Sequence, residues 1–304
     1  MRILTMEPIV RGWSTDRKFC VTDEHGAKYL LRISSPEKYD AKRRSFEMMQ
    51  KVAELGVPMC QPVAFGRWGQ LKGTDEIPGV GPDHVYSLQS WIDGTDLEEA
   101  VKTMDAQAQY ECGLQAGEIL RKIHQIPAPE GMESWEDFFN RKVTRKIEMA
   151  RECPLKFRGQ EEMIDFLETH RHLLKGRPRV YQHGDYHIGN LMLDTDGRLH
   201  VIDFDRDDFG DPWEEFNRIV FCKDVSVNYA EGRILGYFGQ EVIPQRFWEL
   251  FAFYMAANQI ASPAWGLMYG REEGEKMIRL AEDVCSWFDG MKETVPNWFR
   301  QLLW

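Results

Sequence analysis

His183-Gly184-Asp185-Tyr186-His187-Ile188-Gly189-Asn190, with Val201-Ile202-Asp203-Phe204-Asp205 downstream, is the stretch on which the reading of this chain turns. Between the two lie Leu191-Met192-Leu193 and Leu199-His200-Val201-Ile202, flanking Asp196-Gly197. That dipeptide favours a tight hairpin, because both of its residues tolerate positive φ. Taken as a two-residue loop, it sets Asn190 directly opposite Asp203, with Cβ atoms about 5 Å apart on one face. An amide oxygen and a carboxylate so placed can share a hard cation. Mg²⁺ takes one or two protein oxygens and completes its shell from water and phosphates. Asp185 precedes the amide on the loop entering the hairpin. There it can accept a hydroxyl proton without ligating the metal.

A loop Asp, a loop Asn and a later Asp, in that order, are the parts of kinase-type phosphoryl transfer. His183-x-Asp185-x-His187 also invites a metallohydrolase reading, but no further His or carboxylate completes a zinc set at familiar spacing.

Composition narrows the choice. The chain has 304 residues, 43% hydrophobic and 12% aromatic, enough to bury a core as one large domain or two coupled ones. Asp and Glu outnumber Lys and Arg by 49 to 38, a net charge of −11 that argues against a nucleic-acid partner. The longest apolar run, Leu250 to Ala257, is far too short to span a membrane. No secretory pattern opens the chain. Six scattered cysteines form no C-x-x-C pair, and together these features suggest a reducing cytoplasm.

The first ninety residues read as strand-rich, with strands at Lys18–Thr22 and Lys28–Ile33 around the turn Asp23-Glu24-His25-Gly26. A helix opens after Ser35-Pro36 and runs to Gly56. Thr95-x-x-Glu98 reads as a capping box before a long helix whose inner face is Cys112, Ala116, Ile119, Leu120 and Ile123. Residues 132–177 read as helices broken at Pro154 and Gly159, short strands return within 178–203, and the remainder is helical. The sum is an α+β chain: a small β-rich half, residues 1–93, and a larger mostly α-helical half, residues 94–304.

HGDYHIGN with VIDFD resembles the signature of the aminoglycoside phosphotransferases and related small-molecule kinases, and Gly210-Asp211-Pro212 resembles that family's G-D-P. The resemblance implies a two-lobe, protein-kinase-like fold. It implies ATP or GTP as donor, Mg²⁺ held by Asn190 and Asp203, and Asp185 as base or hydroxyl-orienter. Nucleotide binding falls to the amino-terminal lobe. There Arg32 stands where Lys is commoner, with Glu47 as its partner, and Ser14 and Thr15 lie in the phosphate-covering loop. Main-chain groups of Ser90 and Ile92 would hold the purine. Arg206 would neutralise charge on the transferring group, and residues 132–177 would overhang the acceptor.

A cationic acceptor, above all an aminoglycoside, would contact His187 and the carboxylates of Glu136, Asp207 and Asp208. A macrolide, choline, methylthioribose or a homoserine-like alcohol stays open as the acceptor. A protein kinase is disfavoured, since HGD replaces H-R-D, Asp203-Phe204-Asp205 replaces D-F-G, and no A-P-E follows. A nucleotide-binding regulator without turnover would have no need of Asp185. Asp211-Pro212-Trp213-Glu214 also reads as a helix start, with Asp as N-cap and Glu at the third position.

Overall fold

A computed structural model describes residues 2–10, 15–71, 77–239 and 242–300. Ser14 therefore lies outside the described residues. The chain runs β1 (Ile3–Ile9), β2 (Arg17–Asp23), β3 (Lys28–Ser34), α1 (Tyr39–Glu54), β4 (Pro62–Arg67), β5 (Val85–Ser90), β6 (Gly94–Asp96), α2 (Leu97–Ala100) and α3 (Ala106–Ile123). It continues through α4 (Trp135–Glu152), α5 (Gln160–His170), β7 (Val180–Gln182), β8 (Leu191–Asp194), β9 (Leu199–Val201) and β10 (Asp208–Gly210). The last helices are α6 (Val220–Lys223), α7 (Val227–Phe238), α8 (Gln245–Gln259), α9 (Ser262–Leu267) and α10 (Arg271–Trp287).

Two compact units result, the first running to Ala100 and including Gly189–Arg206, the second comprising Val101–Ile188 and the chain from Asp207 onward. The boundary expected after residue 93 thus falls after Ala100, and the hairpin following the HGD segment belongs with the amino-terminal residues. Hydrogen bonding explains both shifts. β6 pairs with β8, and Val201 exchanges bonds with the segment before β4, donating to Pro58 O at 2.9 Å and accepting from Cys60 N at 3.1 Å.

In the first unit a five-stranded antiparallel sheet has the order β1-β2-β3-β5-β4. Alternation sorts β3 between two faces. Leu31 and Ile33 join Phe19, Val21, Tyr86 and Leu88 in an apolar cluster, whereas Arg32 points the other way. α1 buries Phe46, Met49 and Val52, with Phe46 tilted against Phe65 of β4.

The hairpin itself is one residue longer in its loop than the Asp-Gly dipeptide suggests. Leu191 faces Val201 and Leu193 faces Leu199, so Asn190 falls opposite Ile202, whose amide it accepts at 3.0 Å, and not opposite Asp203. The cause is Asp194. Its Oδ1 accepts the amides of Asp196 and Arg198, both at 2.9 Å, which draws Thr195 into the loop. Gly197 takes the left-handed position at φ +79°. Asp203, one residue past the last pairing, turns the chain out of the ladder with φ +64°, a conformation rarely adopted by a residue other than Gly. The expected capping box also dissolves, because Thr95 is a strand residue facing Leu193 and the long helix α3 is capped by Asp105, which accepts Ala108 N at 2.8 Å.

The second unit is helical. α8 is apolar on nearly every face and runs through its core, with Phe247, Phe251, Phe253 and Tyr254 all buried. α3 and α7 approach at backbone distance through glycines on both: a methyl at Gly113 or Gly117 would strike the Tyr229 or Arg233 carbonyl, and one at Gly232 or Gly236 the Tyr110 or Leu114 carbonyl. The helical breaks expected at Pro154 and Gly159 separate α4 from α5. Trp135 is core, its Nε1 donating to Tyr254 Oη at 2.9 Å. Among the described residues no helix is long and apolar enough to cross a membrane.

Candidate functional site

In the first unit, charge gathers around Arg32. Its Nη1 donates to Asp203 Oδ1 at 2.8 Å, and its Nη2 reaches Asp205 and, at 3.5 Å, Asp16. Lys42 of α1 bridges the same acids, at 2.6 Å from Asp16 and 2.9 Å from Asp205. Burial of the guanidinium opposes its charge, but Asp205, Asp203 and Asp16 outweigh that and raise its pKa. Burial likewise opposes ionisation of Asp16, and Lys42, Ser34 and Arg32 overcome it, so its carboxyl titrates below the usual range.

Glu47, expected to partner Arg32, does not. It is half exposed on α1 and faces Arg43 one turn back at 3.8 Å. The carboxylates that hold Arg32 come instead from the segment after the HGD hairpin and from Asp16, and α1 contributes a lysine. Thr15 accepts from Lys38 Nζ at 2.8 Å, which ties down the end of the loop entering β2. Arg206 is exposed in the turn after Asp205.

The same unit holds a cleft of about 360 Å³ lined by the Ser90–Asp93 segment, Pro58, Met59, Gln61, Asp194, Thr195 and His200. Its volume suits a nucleobase with part of a sugar. Ser90 N donates to Gln61 O at 2.8 Å and is taken up by that bond. The Ile92 amide has no protein acceptor among the described residues. Asn190 and Asp203 supply an amide oxygen and a carboxylate, hard donors that fit Mg²⁺ with phosphates completing the shell.

In the second unit the HGD segment is fixed almost entirely by residues outside the motif. Glu215, fully buried, accepts His183 N at 3.1 Å and Gly184 N at 2.5 Å, and stands 3.0 Å from His124 Nε2. Burial opposes its ionisation, but His124, His183 and Arg233 more than offset this and hold the carboxyl below its ordinary range. Tyr186 anchors the segment to α3 by donating to Ala116 O at 2.7 Å. His183 is buried and takes the Asp185 amide on Nδ1 at 3.3 Å.

The Asp185 carboxylate is part-exposed. Arg218 Nε lies 3.3 Å from Oδ1, and Arg218 Nη2 donates to Gly184 O at 3.2 Å. His187 Nε2 sits 3.9 Å from Asp185 Oδ2. Desolvation dominates the His187 ring and, with Arg218, outweighs the pull of Asp185, lowering its pKa to about 4. Among the described residues no three of His, Cys, Asp and Glu gather as a metal could require.

Glu215, Arg218 and His124 were missed from sequence. The signal lay one position from the residue chosen: Asp211 accepts Trp213 N at 2.9 Å, as a local cap should, but Glu215, not Glu214, turns inward. Asp211 does more than cap. It is buried and takes a bidentate pair from Arg177, at 2.5 and 2.7 Å, and a bond from Tyr254 at 2.7 Å. Of the acids nominated for the acceptor, Asp207 neighbours the buried Tyr181 phenol, Asp208 accepts the Phe209 amide at 2.7 Å, and Glu136 lies in the first turn of α4.

The sequence profile of the phosphotransferase enzyme family, APH, matches residues 5–248. No curated protein matches. Among solved structures, a thermostable mutant of the aminoglycoside phosphotransferase APH(4)-Ia aligns over 93% of this chain and 94% of its own, at 17% identity and a TM-score of 0.63. A choline/ethanolamine kinase family protein from Mesorhizobium loti aligns over 95% and 91%, at 18% identity and a TM-score of 0.64. An aminoglycoside 2′-phosphotransferase-IIIa mutant, in its GDP complex, aligns over 96% and 94%, at 14% identity and a TM-score of 0.66. These likenesses carry the fold, and the profile carries the family: the chain belongs to the APH phosphotransferase enzyme family.

Proposed function

We propose that this enzyme transfers the γ-phosphoryl group of ATP or GTP to a hydroxyl of a small organic molecule. The acceptor oxygen forms a bond to Pγ, the bond from Pγ to the β–γ bridging oxygen breaks, and the nucleoside diphosphate leaves. The hydroxyl proton passes to Asp185 Oδ. The observation that carries this reading is the Asp185 carboxylate itself, part-exposed on a segment whose amides are pinned by buried Glu215. A base that must meet one proton in one place needs that rigidity. Mg²⁺, held by Asn190 and Asp203, would neutralise phosphate charge. Arg32 would keep Asp203 oriented through the 2.8 Å bond and Arg206 would approach the transferring group. The base would lie in the cleft beside Ser90 and Ile92.

The resemblance puts an aminoglycoside first among acceptors, and one neighbour is described in complex with hygromycin B. Others are a choline/ethanolamine kinase family protein and an amicoumacin kinase, so a different metabolite or antibiotic is the second reading. Six unpaired thiols agree with a reducing, cytoplasmic setting. The test is diphosphate release from Mg-ATP and Mg-GTP with and without candidate acceptors. Acceptor-dependent release that vanishes in Asp185→Asn supports the assignment, and equal rates in the two proteins refute it.

A further inference from the structure

The second unit carries a cleft of about 600 Å³ between α6 and α10. Its rim begins at the catalytic segment. The Phe221 ring, 42% exposed, meets the His187 ring edge-on at 5.7 Å, and His187 stands 3.9 Å from the Asp185 carboxylate. Phe221, Met277 and Leu280 give the cleft an apolar side. Met277 and Leu280 continue the helix stripe that also holds core Ala281 and Val284, yet both remain part-exposed here.

The polar side is unequal in what it offers. Its three carboxylates are already matched. Lys223 sits between Asp224 at 2.9 Å and Asp283 at 3.0 Å, over the face of Trp287. Asp283 also accepts Trp287 Nε1 at 2.9 Å, and Glu273 pairs with Lys276 at 3.0 Å. An amine entering the cleft would have to displace a lysine from each acid. Arg279 has no carboxylate partner among the described residues, and it lines the same space. At the mouth, the base is itself flanked by the cation Arg218.

Resting on the phosphotransferase reading, and siding with its second reading of the acceptor against an aminoglycoside, we propose that this cleft binds the acceptor and that the acceptor carries an anionic group, a carboxylate or a phosphate, which pairs with Arg279. A polyol of hexose size fits the volume, with an apolar ring face against Phe221 and its hydroxyls toward Asp185. A guanidinium fork is the side chain suited to such an anion.

The experiment compares one hydroxylated skeleton at four charges: D-glucose, D-glucosamine, D-gluconate and D-glucose 6-phosphate, with kanamycin and choline alongside. Diphosphate release from Mg-ATP gives kcat and KM for each in the wild-type enzyme, Arg279→Glu and Arg279→Lys. The expected result is a higher kcat/KM for gluconate or glucose 6-phosphate than for glucose. Arg279→Glu should raise the KM of the acid about tenfold or more, Arg279→Lys should recover most of it, and the KM for ATP should stay put. Which acid responds separates a carboxylate from a phosphate.

No advantage of either acid over glucose overturns the proposal, as does a preference for glucosamine, kanamycin or choline. An acid KM unmoved by Arg279→Glu overturns it too. Failure of the kinase reading looks different: wild-type and Asp185→Asn would then hydrolyse Mg-ATP at the same slow rate whatever is added.

Discussion

Glu215 accepts the backbone amide of Gly184 at 2.5 Å from thirty-one residues downstream, and it does so from a fully buried position. The acid that pins the HGD segment thus comes from a stretch of the chain outside the motif. Replacing it with Gln keeps the shape and one acceptor but removes the charge that meets His124 and two amides. Leaving such groups short of a partner costs about 1–3 kcal/mol. Glu215→Gln should therefore lower Tm and cut kcat at least ~10-fold while leaving the nucleotide KM near its original value. Because the folded carboxyl titrates below its ordinary range, this stabilisation is complete above about pH 4.5 and is lost as pH falls through the folded value. Thermal melts stepped down from pH 7 should show the wild-type advantage over Glu215→Gln unchanged until about pH 4.5 and shrinking only below it.

Arg32 and Glu47 separate a structural role from a family analogy. Arg32 is buried among Asp203, Asp205 and Asp16, so Arg32→Ala leaves three carboxylates with Lys42 as their main cation. Its nucleotide KM should rise at least ~10-fold, because the oriented Asp203 is lost. Glu47 is exposed beside Arg43 in an ordinary one-turn pair. Glu47→Ala should change stability by no more than about 0.5 kcal/mol and leave kcat and KM near wild type. Steady-state kinetics of the two variants side by side decide the matter, and a large loss in Glu47→Ala would restore the family pairing.

The contrast shows what a sequence discloses. Strands β2 and β3, helix α1 and the α4–α5 break were legible because period, Gly and Pro act locally. The hairpin register was not, because the Asp194 side chain captured two amides and lengthened the loop, an event invisible in a hydrophobicity pattern. The acids around Arg32 were equally hidden, since Asp16 meets it across the β2–β3 pairing and Asp205 only from far along the chain. The motif residues Asp185, Asn190 and Asp203 could be named from spacing. The residues that hold Asp185 in place, Glu215 and Arg218, could not, for their partners are backbone groups and an acid more than thirty residues away.

The α3–α7 contact is a second place where small residues decide stability. Gly236 lies against the Leu114 carbonyl and Gly117 against that of Arg233, with no flexible side chain to give way. Either Gly→Ala change must push the helices away from each other, an overpacking that typically costs about 1–3 kcal/mol. Ala116, whose carbonyl receives Tyr186, is adjacent to Gly117 on α3. Gly117→Ala should therefore lower both Tm and kcat, whereas Gly236→Ala should lower chiefly Tm. Calorimetry, with kinetics measured well below each Tm, checks the pair, and unchanged melting in both would mean that the helices can separate freely.

His187 gives the site a pH dependence whose sign can be worked out. Its folded pKa of about 4 lies below the ordinary 6.5, because desolvation and Arg218 outweigh Asp185. Between those values the unfolded chain binds the proton that the folded one refuses, so stability falls as pH drops from 6.5 to 4. His187→Gln should flatten that limb, making the variant's Tm less sensitive than wild type between pH 7 and 5. The same neutrality means that His187 contributes no inflection near pH 6.5 to the kcat/KM profile. An inflection there in the wild type that disappears in His187→Gln would show the ring to be charged in the working enzyme, and the desolvated, neutral imidazole beside Asp185 would have to be abandoned.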